Sequence, residues 1–414
     1  MEIGFGTAVL VVGGLLAISA SLSGWMRGTV FSASVLSVAL GIVLAELGTV
    51  SVDATDASIT ELVELALILT LFSDGLLVER ELLRVHWGPV TRAIVVAMPI
   101  TLLLLALAAK GIFVELSWAE AFLLAAVLTP TDPVVTSSVV TSQRVPALIR
   151  HTLNLESGLN DGLALPFVLF FLVLAAPGGD AASEALRLLG ESAFGALVGA
   201  AVGYGGGRLH HHLPGGGITA RYEGIYAIGF GLAAFGIADV TIGNGLIAAF
   251  VAGIAMGVSQ HEIPDSFSIF SENVSTIFQV VTFFVFGALI VATGYEDEVW
   301  RLFIFIPFML LIARPLAIRL SFIRDDLPRP HLAFIAWFGP KGVASMLFAL
   351  FVLQSQTPDR SVVFDIAAFA ILASIAAHGL TDTLGTRWVE SRMGPAHSRD
   401  GISPEGAGTS PRGP

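Results

Sequence analysis

The chain has no cysteine among its 414 residues. That excludes disulfides and thiolate metal sites and leaves the redox compartment unreadable. Charge is scarce too: Asp, Glu, Lys and Arg make up 13% of the residues, about half the share in a soluble domain. The formal net charge of −12 argues against nucleic acid as a partner. No glycine loop of the P-loop type is present, so coupling to ATP hydrolysis is not expected. Met1-Glu2-Ile3 lacks the basic start of a signal peptide, and the first apolar run reads as a retained helix.

What fills the chain instead is hydrocarbon. Apolar residues make up 55% and the mean hydropathy is +0.82. They fall in runs of roughly 17–25 residues, the length that spans a bilayer as helix. The pattern reads as a polytopic all-α membrane protein with about thirteen spans. They cover roughly 4–23, 29–48, 58–78, 90–109, 117–141, 152–176, 185–207, 222–239, 242–258, 272–293, 300–320, 331–354 and 361–385. The stretch from Thr386 onward is rich in Gly, Pro, Ser and charge, and reads as a disordered cytoplasmic tail.

Basic residues set the orientation. Arg27, Arg80, Arg84, Arg92, Arg144, Arg150, Arg208, Arg221, Arg319, Arg324 and Arg329 fall on alternate connections, as do the arginines of the tail. The opposite loops hold mainly acids, among them Asp53, Asp56, Asp180, Glu184, Glu296, Asp297 and Glu298. This bias puts the N-terminus outside and the C-terminus in the cytoplasm, which requires an odd number of spans.

Two spans are interrupted. The fifth contains Thr129-Pro130-Thr131-Asp132-Pro133, and the twelfth contains Gly339-Pro340-Lys341-Gly342. Proline lacks an N–H and disturbs the helix around it, leaving carbonyls unpartnered. Irregular backbone at membrane depth is tolerated only inside protein or beside a wet cavity. The breaks are seven spans apart, an odd offset that reverses membrane direction. Spans one to six and eight to thirteen therefore read as inverted repeats, and paired broken helices point to a transporter's binding site.

Ionisable groups within spans are functional-site hypotheses by default. Glu61, Glu64 and Asp239 lie near span ends, where a solvated carboxylate serves as well as a functional one. Asp74 lies deeper, as an ion ligand or a structural acceptor. Asp132 and Asp161 carry the functional case: two unpaired ionised carboxylates there would cost several kcal/mol each. Such a pair holds a proton or a cation, and competition for one site is enough for exchange. The bland alternative is that they cap broken helix ends. Glu156 needs a buried partner, and Arg314 in the eleventh span is the candidate for a structural ion pair. Lys341 either offsets carbonyl ends at its break or reaches a site carboxylate. His210-His211-His212, in a glycine-rich loop, is a solvated run or a sensor of cytoplasmic pH. Gly243, Gly245 and Gly253 suggest close helix packing.

With Glu156-Ser157-Gly158-Leu159-Asn160-Asp161-Gly162 in view, the sequence resembles the cation:proton antiporter superfamily, most of all its NhaP-type sodium/proton exchangers. The resemblance covers nearly all of the chain to about Thr386 and rests on Thr131-Asp132-Pro133, Asn160-Asp161, Arg314 and Gly339 to Gly342. It implies thirteen helices in two inverted six-helix repeats, with helices five and twelve crossing as unwound pairs. It implies a transporter domain over 1–385, its core at about 90–176 and 300–385 and its dimerisation scaffold at about 4–78 and 185–293, followed by a tail at 386–414. It makes Asp161 the ion- and proton-binding carboxylate. Asp132, Ser157 and the Thr131 carbonyl help to coordinate Na+, with Asp74 beside them, and Glu156–Arg314 is the buried pair. Asn160 stands where an Asp would add a proton, which implies electroneutral exchange. Asp74 and Lys341 depart from the Glu and Arg common in related sequences.

The sequence thus leads to a prokaryotic plasma-membrane antiporter, not an enzyme, exchanging Na+ (or Li+) for H+ as a homodimer in the bilayer. No cofactor is expected beyond the transported ions. The alternatives are K+/H+ exchange and, in another class, a cation channel.

Overall fold

The computed structural model describes residues 5–26, 33–53, 56–82, 87–132, 145–178, 181–212, 218–259, 265–293, 299–324 and 327–393. Pro133 and the second half of the fifth expected span lie outside these residues, as do Arg27, Arg84, Arg144, Asp180, Glu296, Asp297, Glu298 and the tail from residue 394. Of His210, His211 and His212 only the helical backbone is described.

Among the described residues all regular structure is helical. Helix α1 is Phe5–Met26, α2 Ala33–Glu46 and α3 Ala57–Leu82. Helix α4 is continuous through Trp87–Arg92, a π-helical turn at Ala93–Ala97, and Met98–Ile112. There follow α5 (Trp118–Leu128), α6 (Ala147–Ala175), α7 (Ala181–His212), α8 (Ala220–Asp239), α9 (Gly245–Ser259) and α10 (Asp265–Thr293). Helix α11 is continuous through Val299–Arg301, Leu302–Phe308, a π-helical turn at Met309–Ala313, and Arg314–Ser321. The chain closes with α12 (Arg329–Trp337), α13 (Val343–Leu353) and α14 (Arg360–Met393). Six helical stretches are long and apolar enough to cross a bilayer, and helix occurs within every expected span. Helices α5 and α13, 11 residues each, are short because each abuts a break.

One boundary differs from the sequence reading. The chain remains helical past Thr386 to Met393. Val389 is fully buried in a cluster with Ile149, Phe334 and Phe338, so apolar packing carries the helix into a segment whose composition suggests disorder.

The two π turns have a local cause. Pro99 follows the first and Pro315 the second, each at the start of the next α-helical piece. A proline ring crowds the carbonyl four residues back and offers no N–H. One wider turn relieves both faults. The second π turn ends against Arg314, and so sets the position from which that side chain enters the core.

Helix α3 is held by backbone-to-backbone packing. A Cβ on Gly253 would lie 2.2 Å from the Phe72 carbonyl oxygen, and one on Gly75 would lie 2.4 Å from that of Phe250. Small residues let helices approach closely where water drives nothing between them. The α3–α9 contact fixes the helix that carries Asp74.

Candidate ion-binding site

The two breaks meet. Pro130 ends the regular hydrogen bonding of α5, and the chain leaves α5 through Thr131 and Asp132. Pro340 and Gly342 do the same between α12 and α13. The Asp132 N–H donates to the Pro340 carbonyl at 2.8 Å. The Val343 N–H donates to Asp132 Oδ2 at 3.1 Å, so Asp132 caps the first turn of α13. Lys341 Nζ donates to the carbonyls of Thr129 (3.2 Å) and Pro130 (3.1 Å). Each break thus supplies the partners that the other's free backbone groups need. The contact depends on Gly342: a Cβ there would lie 2.1 Å from Asp132 Oδ2.

Helix α6 approaches the α5 break with three neighbouring polar side chains, Ser157, Asn160 and Asp161. Asn160 Nδ2 donates to Thr131 Oγ1 at 2.7 Å, and Asn160 Oδ1 accepts the Thr131 N–H at 3.3 Å. Ser157 Oγ donates to the Thr131 carbonyl. Asp161 lies on the same stretch, 6% exposed, with the Asp74 carboxyl of α3 near enough for the two acids to act on each other. Helices α3 and α6 pack side by side here, and a Cβ on Gly158 would make ordinary contact with the Asp74 carbonyl oxygen at 3.5 Å. Among the described residues Asp161 Oδ1 and Asp74 Oδ2 have no partner. The Asp132 charge acts on both acids, and Lys341 is close enough to act on Asp161. Two neighbouring carboxyls, each with an open oxygen, among hydroxyl and carbonyl oxygens, suit a proton or a small hard cation.

Glu156 faces away from this group, one to two turns earlier on α6. Arg314 grips it with both terminal nitrogens, Nη1 to Oε1 at 2.7 Å and Nη2 to Oε2 at 3.0 Å. Arg314 Nη2 also donates to the Ile335 carbonyl at 3.2 Å, near the C-terminal end of α12. The bidentate fork therefore ties α6, α11 and the first half of the broken helix together.

Among the described residues several buried ionisable groups escaped the sequence reading, Glu120, Asp365 and His378 among them. Glu120 completes a capping box with Ser117 at the start of α5, a signal that was legible as Ser-x-x-Glu. Asp365 of α14 accepts from Thr293 Oγ1 of α10 at 2.5 Å. His378 of α14 is 2% exposed and lies beside the α12–α13 break. A single histidine or aspartate in an apolar helix carries no spacing signal. Glu61 and Asp239, by contrast, are exposed.

With this geometry in place, comparison with known proteins is informative. The profile of the family described as "Sodium/hydrogen exchanger, transmembrane" matches residues 14–384. The K(+)/H(+) antiporter NhaP of Alkalimonas amylolytica is 27% identical over 394 residues, with 92% of this chain and 67% of that protein covered. The Na(+)/H(+) antiporter 2 of Zygosaccharomyces rouxii is 28% identical over 374 residues, with 78% of this chain but only 45% of that protein covered. The fold is similar to the structure of the sodium proton antiporter MjNhaP1 from Methanocaldococcus jannaschii, at a TM-score of 0.74 and 18% identity, covering 93% of this chain and 97% of that one. These relatives are transporters, and the chain is a multi-pass membrane protein. It belongs to the sodium/hydrogen exchanger family of cation:proton antiporters, on its NhaP-type side.

Proposed function

We propose that this protein is a secondary active antiporter that exchanges one monovalent cation, Na+ (or Li+), for one proton by alternating access. The observation that carries the proposal is the neighbouring pair of buried carboxyls Asp74 and Asp161, each with an open oxygen, beside Asp132, set where the two breaks meet. A cation entering among these oxygens displaces a proton from the pair, and a proton arriving from the other side displaces the cation. Competition for one site couples the two fluxes without any cofactor. Asp161 is the central carboxylate. Asp132, Ser157 and the Thr131 carbonyl complete the cation's oxygen shell, with Asp74 as the acid that takes or returns the proton. Asn160 is held by two hydrogen bonds to Thr131 and carries no proton of its own, which supports electroneutral exchange. Glu156–Arg314 is structural.

The site lies between the two expected bodies. Asp74 belongs to the scaffold (about 4–78 and 185–293), and Asp161 and Asp132 to the core (about 90–176 and 300–385). A core that rocks against a dimeric scaffold would open this boundary alternately to each side. Inverted repeats of six helices fit the two interrupted passages, each preceded by a helix with a π turn ahead of a proline. The N-terminus is placed outside and the C-terminus in the cytoplasm.

K+/H+ exchange is the second reading, favoured by the name of the Alkalimonas relative. The channel alternative gains nothing from relatives named as antiporters. Proteoliposomes decide: Na+, Li+ or K+ is added to vesicles holding a proton gradient, with and without a voltage clamp. Gradient dissipation by Na+ that ignores the clamp is expected, and Asp161→Asn should abolish it. A clamp-dependent rate would refute electroneutrality, and full exchange by Asp161→Asn would refute the site.

A further inference from the structure

His378 is a buried ionisable group that the exchange cycle above leaves unused. Its Nε2 lies 2.8 Å from the Trp337 carbonyl oxygen, on the near side of the α12–α13 break. Its Nδ1 lies 2.7 Å from the Ser374 carbonyl oxygen and 3.2 Å from Ser374 Oγ. Ser374 Oγ in turn accepts the Lys341 N–H at 3.0 Å, on the far side of the break. One turn of α14 therefore clips both sides of the interruption: Trp337 through the imidazole and Lys341 through the serine. The Trp337 indole adds a second tie, donating to Thr381 Oγ1 at 2.9 Å.

The donor count gives this clip two states. A carbonyl oxygen only accepts, so the Nδ1 and Nε2 contacts with Ser374 and Trp337 are both satisfied only when both ring nitrogens carry protons. A neutral ring can keep Nε2–H on Trp337, but Nδ1 must then accept from Ser374 Oγ–H and withdraw from the Ser374 carbonyl. That turns the Ser374 hydroxyl toward the imidazole, while its oxygen still receives the Lys341 N–H. The charged groups around the ring are Lys341 at the break and Arg314 of α11, already paired with Glu156. Asp382 stands one turn further along α14.

We infer that His378, acting with Ser374, is a positioning residue that spans the α12–α13 break, and that its protonation selects between two orientations of the Ser374 hydroxyl that receives the Lys341 N–H. The inference rests on the antiport reading. An imidazolium here adds positive charge on the Lys341 side of the ion site, which opposes cation entry at acid pH.

The test is His378→Gln, whose amide can donate to Trp337 but cannot gain a charge. In proteoliposomes it should keep exchange within about threefold of wild type at the optimum, with the acid limb displaced toward lower pH by about half a unit or more. An unchanged profile, or one displaced to higher pH, overturns the inference. His378→Asn serves the same purpose if the glutamine variant does not assemble. ¹⁵N-histidine NMR of the full chain in nanodiscs, with the variant assigning the signal, gives a second readout. Both ring nitrogens should be protonated at the acid end and one at the alkaline end; a single form throughout overturns the inference. Wild-type vesicles with no cation-driven proton flux would instead refute antiport, leaving the NMR titration to decide His378 by itself.

Discussion

Asp132 accepts the Val343 N–H through Oδ2 at 3.1 Å, so an acid expected to bind a cation also caps the second half of the opposing broken helix. Its backbone N–H, on the Pro340 carbonyl, makes the junction two-sided. Cap and ligand are compatible, because a carboxylate has more acceptor sites than one N–H uses.

Asparagine keeps an oxygen for the cap, whereas alanine removes it. Asp132→Asn should therefore match the wild-type thermal unfolding in detergent while losing exchange. Asp132→Ala should lose exchange and also about 1 kcal/mol of stability, the usual worth of an N-cap. Equal destabilisation by both substitutions would count against the cap.

The Glu156–Arg314 pair is closed on both oxygens and buried, with the two side chains 5% and 10% exposed. Removing either partner strands a charge among helices. Glu156→Ala or Arg314→Ala should each cost about 3–5 kcal/mol, read as loss of folded protein on size exclusion or a large drop in Tm. Replacing both by apolar residues of similar volume should recover much of the loss. If the single variants keep the wild-type Tm, the pair does not hold the bundle.

Gly342 is required by contact rather than by backbone conformation. A Cβ would lie 2.1 Å from Asp132 Oδ2 and 2.2 Å from Asp132 Cβ, so the whole side chain would have to leave. Gly342→Ala should cost about 1–3 kcal/mol, as overpacking does, and abolish exchange through the displaced carboxylate. Wild-type cation-driven proton flux in this variant would show that Asp132 need not stand where it does.

Asp359, in the loop before α14, offers a pH test outside the membrane. Burial, then the charges of Glu120 and Glu115, hold its carboxyl above the ordinary value of 3.8. The folded state thus binds this proton more readily than the unfolded chain, and this group favours folding more as pH falls through the raised value toward 3.8. At neutral pH its charge is a small cost. Asp359→Asn should stabilise the fold at pH 7 by less than about 0.5 kcal/mol, because the group is partly solvated, read as a small rise in Tm, and leave Tm unchanged below pH 4. A Tm gain confined to acid pH would reverse the sign.

The breaks at Pro130 and Pro340 were legible because proline breaks the local rule of helix, and Asp74, Asp132, Glu156, Asp161, Arg314 and Lys341 because each breaks the rule of hydrocarbon. Partners were harder to read. Arg314 could be matched to Glu156 by elimination, since a buried acid needs a buried base. Lys341 could not be settled, because carbonyls and carboxylates attract an ammonium alike; it reaches the carbonyls of Thr129 and Pro130. His378 left no trace, since one imidazole in a long apolar helix looks like any other.

The sequence alone determined a helical chain for a bilayer, with interrupted passages and a short set of misplaced charges. Hydrophobicity and proline chemistry act locally, over a turn or a span, and can be read residue by residue. The tertiary structure decided which oxygens are open and which already hold a protein donor: among the described residues Asp161 Oδ1 and Asp74 Oδ2 have no partner, while Asp132 Oδ2 caps a helix and the Thr131 carbonyl receives Ser157. These pairings join residues up to 211 positions apart. Only the packing of α3, α6 and the two breaks brings such groups within hydrogen-bond reach, and no local pattern encodes that distance.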